Sequence, residues 1–229
     1  MDDFAVKRVL SVAKAAALGD RCFDRILGLI RPGVTESFIA REIDDFLLSH
    51  GAEALAFPTI CVSGPRGALP HGEPSDRALE PGEFLTMDFG AVIDGFCGDM
   101  TRTIAVEYVS DEQRLVYDTV LRAQEAAIRR LEANARCFDA DKAARDIIES
   151  AGYGDFFVHG TGHGVGKEVH EPPTLNAKSE EYLRSGMAVT VEPGIYIEGR
   201  LGVRIEDLLI VTDAGIINVT CSEKRLLIL

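Results

Sequence analysis

Apolar residues recur at helical spacing over the first thirty positions of the chain. One face of the predicted helix carries Val6, Val9, Leu10, Ala13 and Ala17. The same spacing continues through Phe23, Ile26, Leu27 and Ile30. Pro32-Gly33 then predicts the end of this helix, because neither residue favours its continuation.

A second helix and a change of period follow. Thr35 is a predicted N-cap, since its hydroxyl can accept a hydrogen bond from the first turn. The buried face of this second helix carries Ile39, Ile43, Phe46 and Leu47, and its end is expected near His50-Gly51. From about residue 57, short apolar runs alternate with Gly/Pro turns, which predicts antiparallel strands at 59–62, 84–89 and 103–106.

The order of elements then repeats. Ser110 and Gln113 form a predicted capping box for a long helix to about Asn134. A shorter helix is predicted from about Asp139 to Ala151, and strand-like segments follow residue 156. Segment 79–88 also aligns with 183–192 at a constant offset of 104, and both segments end on a carboxylate. We therefore predict an internal duplication whose two helix-helix-strand halves share one core, as a single domain spanning residues 1–229.

Composition restricts the class of protein. With 229 residues, of which 46% are hydrophobic, the chain is too apolar to be disordered. No apolar run approaches the roughly 18 residues of a membrane-spanning helix. The 24 Lys+Arg against 37 Asp+Glu give a net charge of −13, which argues against a nucleic acid or an anionic membrane as a partner. That charge fits simple solubility or a cation site built from carboxylates.

The cysteines and the N-terminus indicate a compartment. Five widely spaced cysteines without a CxxC pair favour reduced thiols over a zinc knuckle or disulfides. The segment 1–4 is acidic and leads directly into the helical pattern, whereas a signal peptide begins with basic residues and an apolar stretch. We therefore expect a cytoplasmic protein.

Four carboxylates interrupt apolar segments that are predicted to be strands. They are Asp88, Asp99, Glu192 and Glu206. One such residue alone is best explained as an edge residue facing water or as a partner of an arginine. Four at symmetric places, two per half, favour convergence on cations, because ionised carboxylates are rarely buried without partners.

Four of the five histidines also lie in distinctive segments. His71 follows Leu69-Pro70, while His159, His163 and His170 lie in a glycine-rich run over residues 157–173. The isolated His50 is best explained as an ordinary surface or core residue. Three histidines within twelve residues predict a site, since neutral imidazole binds metals and carries protons near pH 7. The run contains neither a P-loop nor an HExxH pattern.

Together these segments resemble the pita-bread metallopeptidases, the group that contains methionine aminopeptidase, aminopeptidase P and prolidase. The resemblance spans nearly the whole chain and is strongest to the Xaa-Pro branch. Besides the glycine-histidine run, it is carried by residues 69–76 (LPHGEPSD), 87–90 (MDFG), 99–103 (DMTRT) and 204–207 (RIED). Methionine aminopeptidases share the glycine-histidine run but usually lack the last two of these motifs.

The resemblance implies an α+β fold, with a curved antiparallel sheet covered by helices and formed from two pseudo-symmetric α-α-β halves. It also implies two divalent metal ions, of which Mn²⁺ suits an oxygen-rich site best, with Co²⁺, Fe²⁺ or Zn²⁺ as competitors. The implied metal ligands are Asp88, Asp99, His163, Glu192 and Glu206. In the family pattern Asp99 and Glu206 bridge both ions.

The implied reaction is hydrolysis of the N-terminal peptide bond of a peptide substrate, with an Xaa-Pro bond as the first choice. A hydroxide shared by the two ions would attack the carbonyl, and Glu192 would act as general base. His71 and His170 would stabilise the oxyanion, His159 would contact substrate, and Arg204 would orient Glu206.

Alternatives remain open at this level. A methionine aminopeptidase or a short broad-specificity aminopeptidase shares much of the pattern. A non-catalytic peptide-binding module is a remote alternative, because such relatives lose ligands and all five are present here. The chain starts just before the first predicted helix, without the N-terminal domain of prolidases, so we expect a monomer or a homodimer.

Overall fold

A computed structural model of the protein describes residues 3–229, with side chains described from residue 5 onwards. The start of the chain, Met1-Asp2, on which the expectation about targeting partly rests, lies outside the described residues. Within the described part, two helices and six strands are followed by two helices and seven strands. This repeated order agrees with the sequence prediction.

The four α-helices of residues 3–229 begin and end close to the predicted places. They are α1 (Asp3–Leu27), α2 (Glu36–Ser49), α3 (Asp111–Ile128) and α4 (Cys137–Ser150). Thr35 Oγ1 accepts a hydrogen bond from Phe38 N at 3.1 Å, and Ser110 and Gln113 form the reciprocal capping box. α3 ends earlier than predicted, because Asn134 has a left-handed backbone (φ 70°) that a helix cannot contain.

The strands pair antiparallel throughout. Those of the first half are β1 (Ala54–Leu55), β2 (Ile60–Ser63), β3 (Phe84–Phe89), β4 (Ala91–Ile93), β5 (Phe96–Cys97) and β6 (Met100–Ala105). Those of the second half are β7 (Gly162–Val165), β8 (Glu171–Leu175), β9 (Ala188–Val191), β10 (Gly194–Ile197), β11 (Leu201–Arg204), β12 (Asp207–Thr212) and β13 (Gly215–Asn218). The strand orders are β2-β3-β6, β1-β4-β5, β13-β12-β9-β7-β8 and β10-β11.

The helices cover the sheets and create the core. α1 and α2 bury their apolar faces against β2, β3 and β6, where Phe23, Ile39 and Leu85 share one cluster. α3 and α4 do the same against β9, β11 and β12. Among the described residues, no helix is long and apolar enough to cross a membrane. All five cysteines are free thiols, four of them buried.

The buried face of the first half of α1 differs from the prediction. Val6 and Leu10 are 40% and 58% exposed, whereas Val12 and Ala16 pack in the core. Ala15 lies directly against Gly98, so only a small side chain fits there. The prediction was wrong for Val6, Leu10 and Ala17, because the close approach of Ala15 to Gly98 turns the face with Val12 and Ala16 toward the strands. The predicted Val9 and Ala13 still pack partly against this core.

Equivalent backbone hydrogen bonds occur in the two halves. In the first half, Gly33 N donates to Leu79 O and Leu79 N donates to Val34 O. In the second half, Asn134 N donates to Leu183 O and Leu183 N donates to Ala135 O. Leu79 and Leu183 are the first residues of the two aligned segments, so the repeat in sequence is also a repeat in structure.

Candidate metal centre

One cavity collects every residue that the sequence singled out. Its volume is about 1190 Å³. Its lining includes His71, Asp88, Asp99, His159, His163, His170, Glu192, Arg204 and Glu206. The residues come from both halves, so the cavity lies where the two halves meet.

The antiparallel strands explain how distant acids come together. Asp88 lies near the end of β3 and pairs across the ladder with Thr101 of β6, which places Asp99 nearby. Glu192 directly follows β9, and Glu206 lies between β11 and β12. Each acid therefore lies in or next to a strand, where neighbouring strands hold it at a fixed position.

Three groups within the cavity have the spacing of a metal site. Asp99, His163 and Glu206 each present a ligand atom, and these atoms all lie within 4.8 Å of one another. His163 Nε2 is also 3.0 Å from Glu192 Oε1. Two oxygens, Asp88 Oδ1 and Glu206 Oε1, are buried and accept no hydrogen bond from any described residue. Because an unpaired buried carboxylate oxygen is costly, a cation satisfies this arrangement better than any group of the chain.

The glycine-rich run positions His163 in two ways. A Cβ at Gly162 would overlap the Thr190 carbonyl oxygen, and one at Gly164 would overlap that of Pro172. These glycines therefore let β7 fit tightly between its neighbouring strands. The Nδ1 of His163 lies 3.1 Å from the carbonyl oxygen of Gly164. Because that oxygen can only accept, Nδ1 donates, which leaves Nε2 as the atom that faces the carboxylates. Without a metal, a protonated Nε2 donates to Glu192, and once that proton leaves, the Nε2 lone pair can bind a cation.

Arg204 acts on the acids differently from the expectation. Its guanidinium forms a buried ion pair with Asp88 rather than with Glu206. It reaches Glu206 only through Thr101, whose Oγ1 accepts from Arg204 Nε at 3.1 Å and donates to Glu206 Oε2 at 2.7 Å. The carboxylates of Asp88 and Glu206 are therefore oriented by one arginine and one threonine.

The outer histidines occupy distinct positions. His71 and His170 are exposed at the rim of the cavity, and the His170 ring centroid is 4.4 Å from that of His163. His159 contacts Tyr196 Oη through Nε2 at 2.8 Å and the Gly160 carbonyl oxygen through Nδ1 at 2.7 Å. Both ring nitrogens of His159 are therefore engaged within the protein.

The electrostatics of the metal-free site reflect its crowded acids. Burial, together with the charges of neighbouring carboxylates, raises the pKa of Asp99 and of Glu206 well above the usual range. Burial also acts to raise the pKa of Glu192, but the hydrogen bond from His163 and the charges of His163, His159 and Arg204 together outweigh it and lower this pKa to about 2. Conversely, the contact with Glu192 raises the pKa of His163 despite burial. Without a metal, Asp99, Glu206 and His163 therefore bind protons more tightly than the same groups would in water.

Metal binding is expected to release protons. The raised pKa values of Asp99, Glu206 and His163 favour bound protons in the metal-free site, and a divalent ion must displace the protons that are present. Calorimetric titration with Mn²⁺ in two buffers of different ionisation enthalpy measures this release. We expect a release that shrinks toward pH 8.5, together with an apparent affinity that rises with pH.

The same pKa shifts determine in which direction the stability of the metal-free protein changes with pH. Asp99 and Glu206 have higher pKa values in the folded protein than in the unfolded chain, so their protonation stabilises the folded state. This contribution is fully present at a pH below the unfolded-state pKa values, and it is lost as the pH rises through the folded-state pKa values. The Glu206→Gln variant is the control, since it lacks one of these carboxyls and should show a weaker loss. Mn²⁺ binding without proton release at pH 6.5 would contradict this electrostatic description.

Several residues of the site carry no signal in the sequence. Tyr196 is uncharged and lies in a strand segment that no motif marks. Thr101 lies inside the 99–103 motif, but it is uncharged and the sequence assigned it no role. Tyr196 nevertheless accepts a hydrogen bond from Arg204 Nη1 at 2.9 Å, which connects Arg204 to His159. Both residues are recognised only by their hydrogen bonds to the predicted site residues.

Comparison with known proteins agrees with the fold. The profile of metallopeptidase family M24 matches residues 11–213. An Xaa-Pro dipeptidase of Pyrococcus furiosus is 40% identical over 216 residues, which are 94% of this chain and 62% of that protein.

Solved structures give the same result. An Xaa-Pro dipeptidase from Bacillus anthracis superposes with a TM-score of 0.95 at 46% identity, covering 97% of this chain and 63% of that one. An X-Pro aminopeptidase from Thermotoga maritima superposes with a TM-score of 0.94 at 37% identity, with coverage of 97% and 63%. The chain belongs to metallopeptidase family M24, and its α+β pita-bread fold confirms the prediction. It spans less than two thirds of the length of these relatives.

Proposed function

We propose that the protein is a dinuclear metal-dependent exopeptidase that hydrolyses the bond between an N-terminal residue and proline. The observation that carries the proposal is the convergence of four acids and one imidazole in a single cavity of peptide size. The names of the similar proteins, Xaa-Pro dipeptidase and X-Pro aminopeptidase, support proline as the second residue.

The chain's own ligands fit two hard divalent ions. Asp88, Asp99, His163, Glu192 and Glu206 would hold the ions, and in the family pattern Asp99 and Glu206 would serve both. Four carboxylates with one imidazole favour Mn²⁺ among the common candidates. Such ions, when bound, activate a water molecule at neutral pH and polarise the scissile carbonyl.

The side chains around the ions have separate tasks. Glu192 is ionised at neutral pH, so its carboxylate is available to take the proton of the attacking water. His170 is neutral there, because partial burial and the neighbouring His163 lower its pKa, yet it still has an N–H to donate. We assign His170 and His71, both at the rim, to stabilising the negative charge that develops on the carbonyl oxygen.

A matched panel of peptides tests the proposal. Met-Pro, Met-Pro-Gly and Met-Ala-Ser share their first residue, so differences in rate report the second residue and the length. With Mn²⁺ added, we expect kcat/KM for Met-Pro to exceed that for Met-Ala-Ser by about tenfold or more, because a site shaped for proline leaves contacts unmade with alanine. Release of free methionine, measured by chromatography, is the readout.

The panel also defines failure. Cleavage of Met-Ala-Ser alone would make the protein a methionine aminopeptidase instead. Protein carrying Asp99→Ala, purified in the same way, is the control for contaminating peptidases. The ratio of kcat/KM for Met-Pro-Gly to that for Met-Pro distinguishes an aminopeptidase, which cleaves both, from a dipeptidase, which cleaves only Met-Pro.

A further inference from the structure

The cavity extends beyond the proposed metal ligands along one face of α2. Ser37, Ala40, Arg41 and Asp44, which follow one another at helical spacing, line this side. Beside α2, the segment of residues 55–60 adds the apolar side chains of Leu55, Phe57, Pro58 and Ile60 to the lining. This part of the cavity is therefore a subsite with apolar walls and a few polar groups.

The strand register places this subsite next to Asp88. Ile60 lies directly opposite Asp88 in the β2–β3 ladder. Thr59, the preceding residue, donates from Oγ1 to Asp44 Oδ1 at 2.5 Å. The hydrogen bond to Thr59 therefore holds Asp44 close to Ile60, which is the residue paired with the proposed metal ligand Asp88.

Asp44 has a negative charge without a cationic partner. Its side chain is half-buried, and within residues 5–229 no lysine, arginine or histidine forms an ion pair with it. Burial and the neighbouring charge of Asp45 raise its pKa, which is the sign of an uncompensated carboxylate. Arg41 lines the same face but is exposed, and its Nε donates to the Ser37 carbonyl oxygen instead.

Apolar walls that lead to a carboxylate match one kind of side chain. Lysine and arginine have a long methylene stem and a terminal cation, so they bury the stem against apolar groups and pair the charge. We propose that Asp44 makes this subsite selective for a basic N-terminal residue, so that Lys-Pro and Arg-Pro sequences are preferred substrates. The inference rests on the proposed function, since in an Xaa-Pro dipeptide only the first residue can have a charged side chain.

Asp44 also holds Thr59 in place, and a substitution must separate this role from its charge. Asp44→Asn keeps an oxygen that accepts from Thr59 but removes the negative charge. Norleucine matches the four-carbon stem of lysine without its ammonium group. The ratio of kcat/KM for Lys-Pro to that for norleucyl-Pro therefore measures the charge alone.

We expect the wild-type protein to prefer Lys-Pro over norleucyl-Pro by about fivefold to tenfold, the size of a partly screened ion pair. Asp44→Asn should bring this ratio to about 1. Asp45→Asn is the matched control, because Asp45 is the adjacent residue, is exposed and does not line the cavity. It should leave the wild-type ratio unchanged, and metal content should be equal in all three proteins.

The outcomes distinguish this inference from the proposed function. A ratio near 1 in the wild type, or an equal fall in both variants, would overturn the role of Asp44 while Xaa-Pro hydrolysis stands. The pair Lys-Ala and norleucyl-Ala is measured in parallel. If only Lys-Ala and norleucyl-Ala were cleaved, proline specificity would be refuted. The ratio of their kcat/KM values would still measure the effect of the Asp44 charge. If no peptide of either series is cleaved, both proposals are wrong.

Discussion

The Asp99→Ala variant is expected to lose bound metal and hydrolytic activity together. Asp99 has a ligand atom within 4.8 Å of those of both His163 and Glu206, so its removal takes a ligand from the centre of the cluster. In the proposed ligand set Asp99 serves both ions, so its loss would weaken both sites at once. We expect kcat/KM to fall by about a thousandfold or more, because the water would lose the activation that two ions provide.

The reading of this variant depends on showing that it folds. In the metal-free protein Asp99 faces the like charges of Glu206 and Asp88, so removing its carboxylate relieves repulsion. The thermal midpoint in EDTA is therefore expected to stay unchanged or to rise, whereas the extra stability conferred by Mn²⁺ disappears. Asp99→Asn provides a second variant of nearly the same shape.

A surface variant controls for the change in net charge. Asp213→Ala removes one carboxylate from an exposed turn outside the cavity and should retain both metal binding and activity. Metal content is measured by elemental analysis after gel filtration. An Asp99→Ala protein that keeps two metal equivalents and normal turnover would remove Asp99 from the ligand set.

The Arg102→Met variant is expected to show the largest loss of stability. Arg102 and Asp207 form an ion pair of 2.8 Å with side chains 1% and 0% exposed. The guanidinium also donates to the carbonyl oxygens of Glu206, Ser222 and Glu223. Methionine has a similar length but no donors, so Asp207 is left as a buried charge supported only by its neutral partners and the half-exposed Lys224.

We expect this variant to lose about 3–5 kcal/mol of unfolding free energy at pH 7, the usual result of removing one partner of a buried ion pair. Burial opposes ionisation of Asp207, but the charges of Arg102 and Lys224 outweigh it and lower its pKa. The stability linked to this lowered pKa is present above the ordinary value and is lost as pH falls through the folded value. The deficit of the variant should therefore shrink in acid.

Urea unfolding followed by circular dichroism measures the loss. Arg225→Met is a suitable control, since Arg225 is exposed and pairs with the side chain of Glu223 in the same segment. Its urea midpoint should match the wild type. If Arg102→Met unfolds at the same urea concentration as the control, the buried ion pair does not stabilise the fold.

The elements that sequence predicted well are those with local causes. The caps at Thr35 and Ser110 depend on residues three positions away, so the sequence contains the whole interaction. The strand at 84–89 was predicted at its observed bounds, because apolar residues and flanking turns define it. The acids of the cavity were found because charge in an apolar strand is unusual, and three of its histidines were found because they cluster in a glycine-rich run.

The features that sequence missed depend on contacts between distant residues. Arg204 pairs with Asp88, which is 116 positions away, and Thr101 donates to Glu206 across 105 positions. Nothing near Arg204 in sequence distinguishes Asp88 from Glu206 as its partner. The buried face of α1 was mistaken for a similar reason, because the closeness of Gly98 decides which side chains fit.

The division of the cavity between two halves has a consequence during synthesis. Asp88 and Asp99 lie in the first half, whereas His163, Glu192 and Glu206 lie in the second. At typical translation rates Asp99 leaves the ribosome roughly 5–20 s before Glu206 does. With the proposed ligands, the nascent first half holds too few donors to keep an ion, so metal loading would wait until Glu206 has been synthesised. A bound ion would then stabilise only those molecules in which both halves have folded.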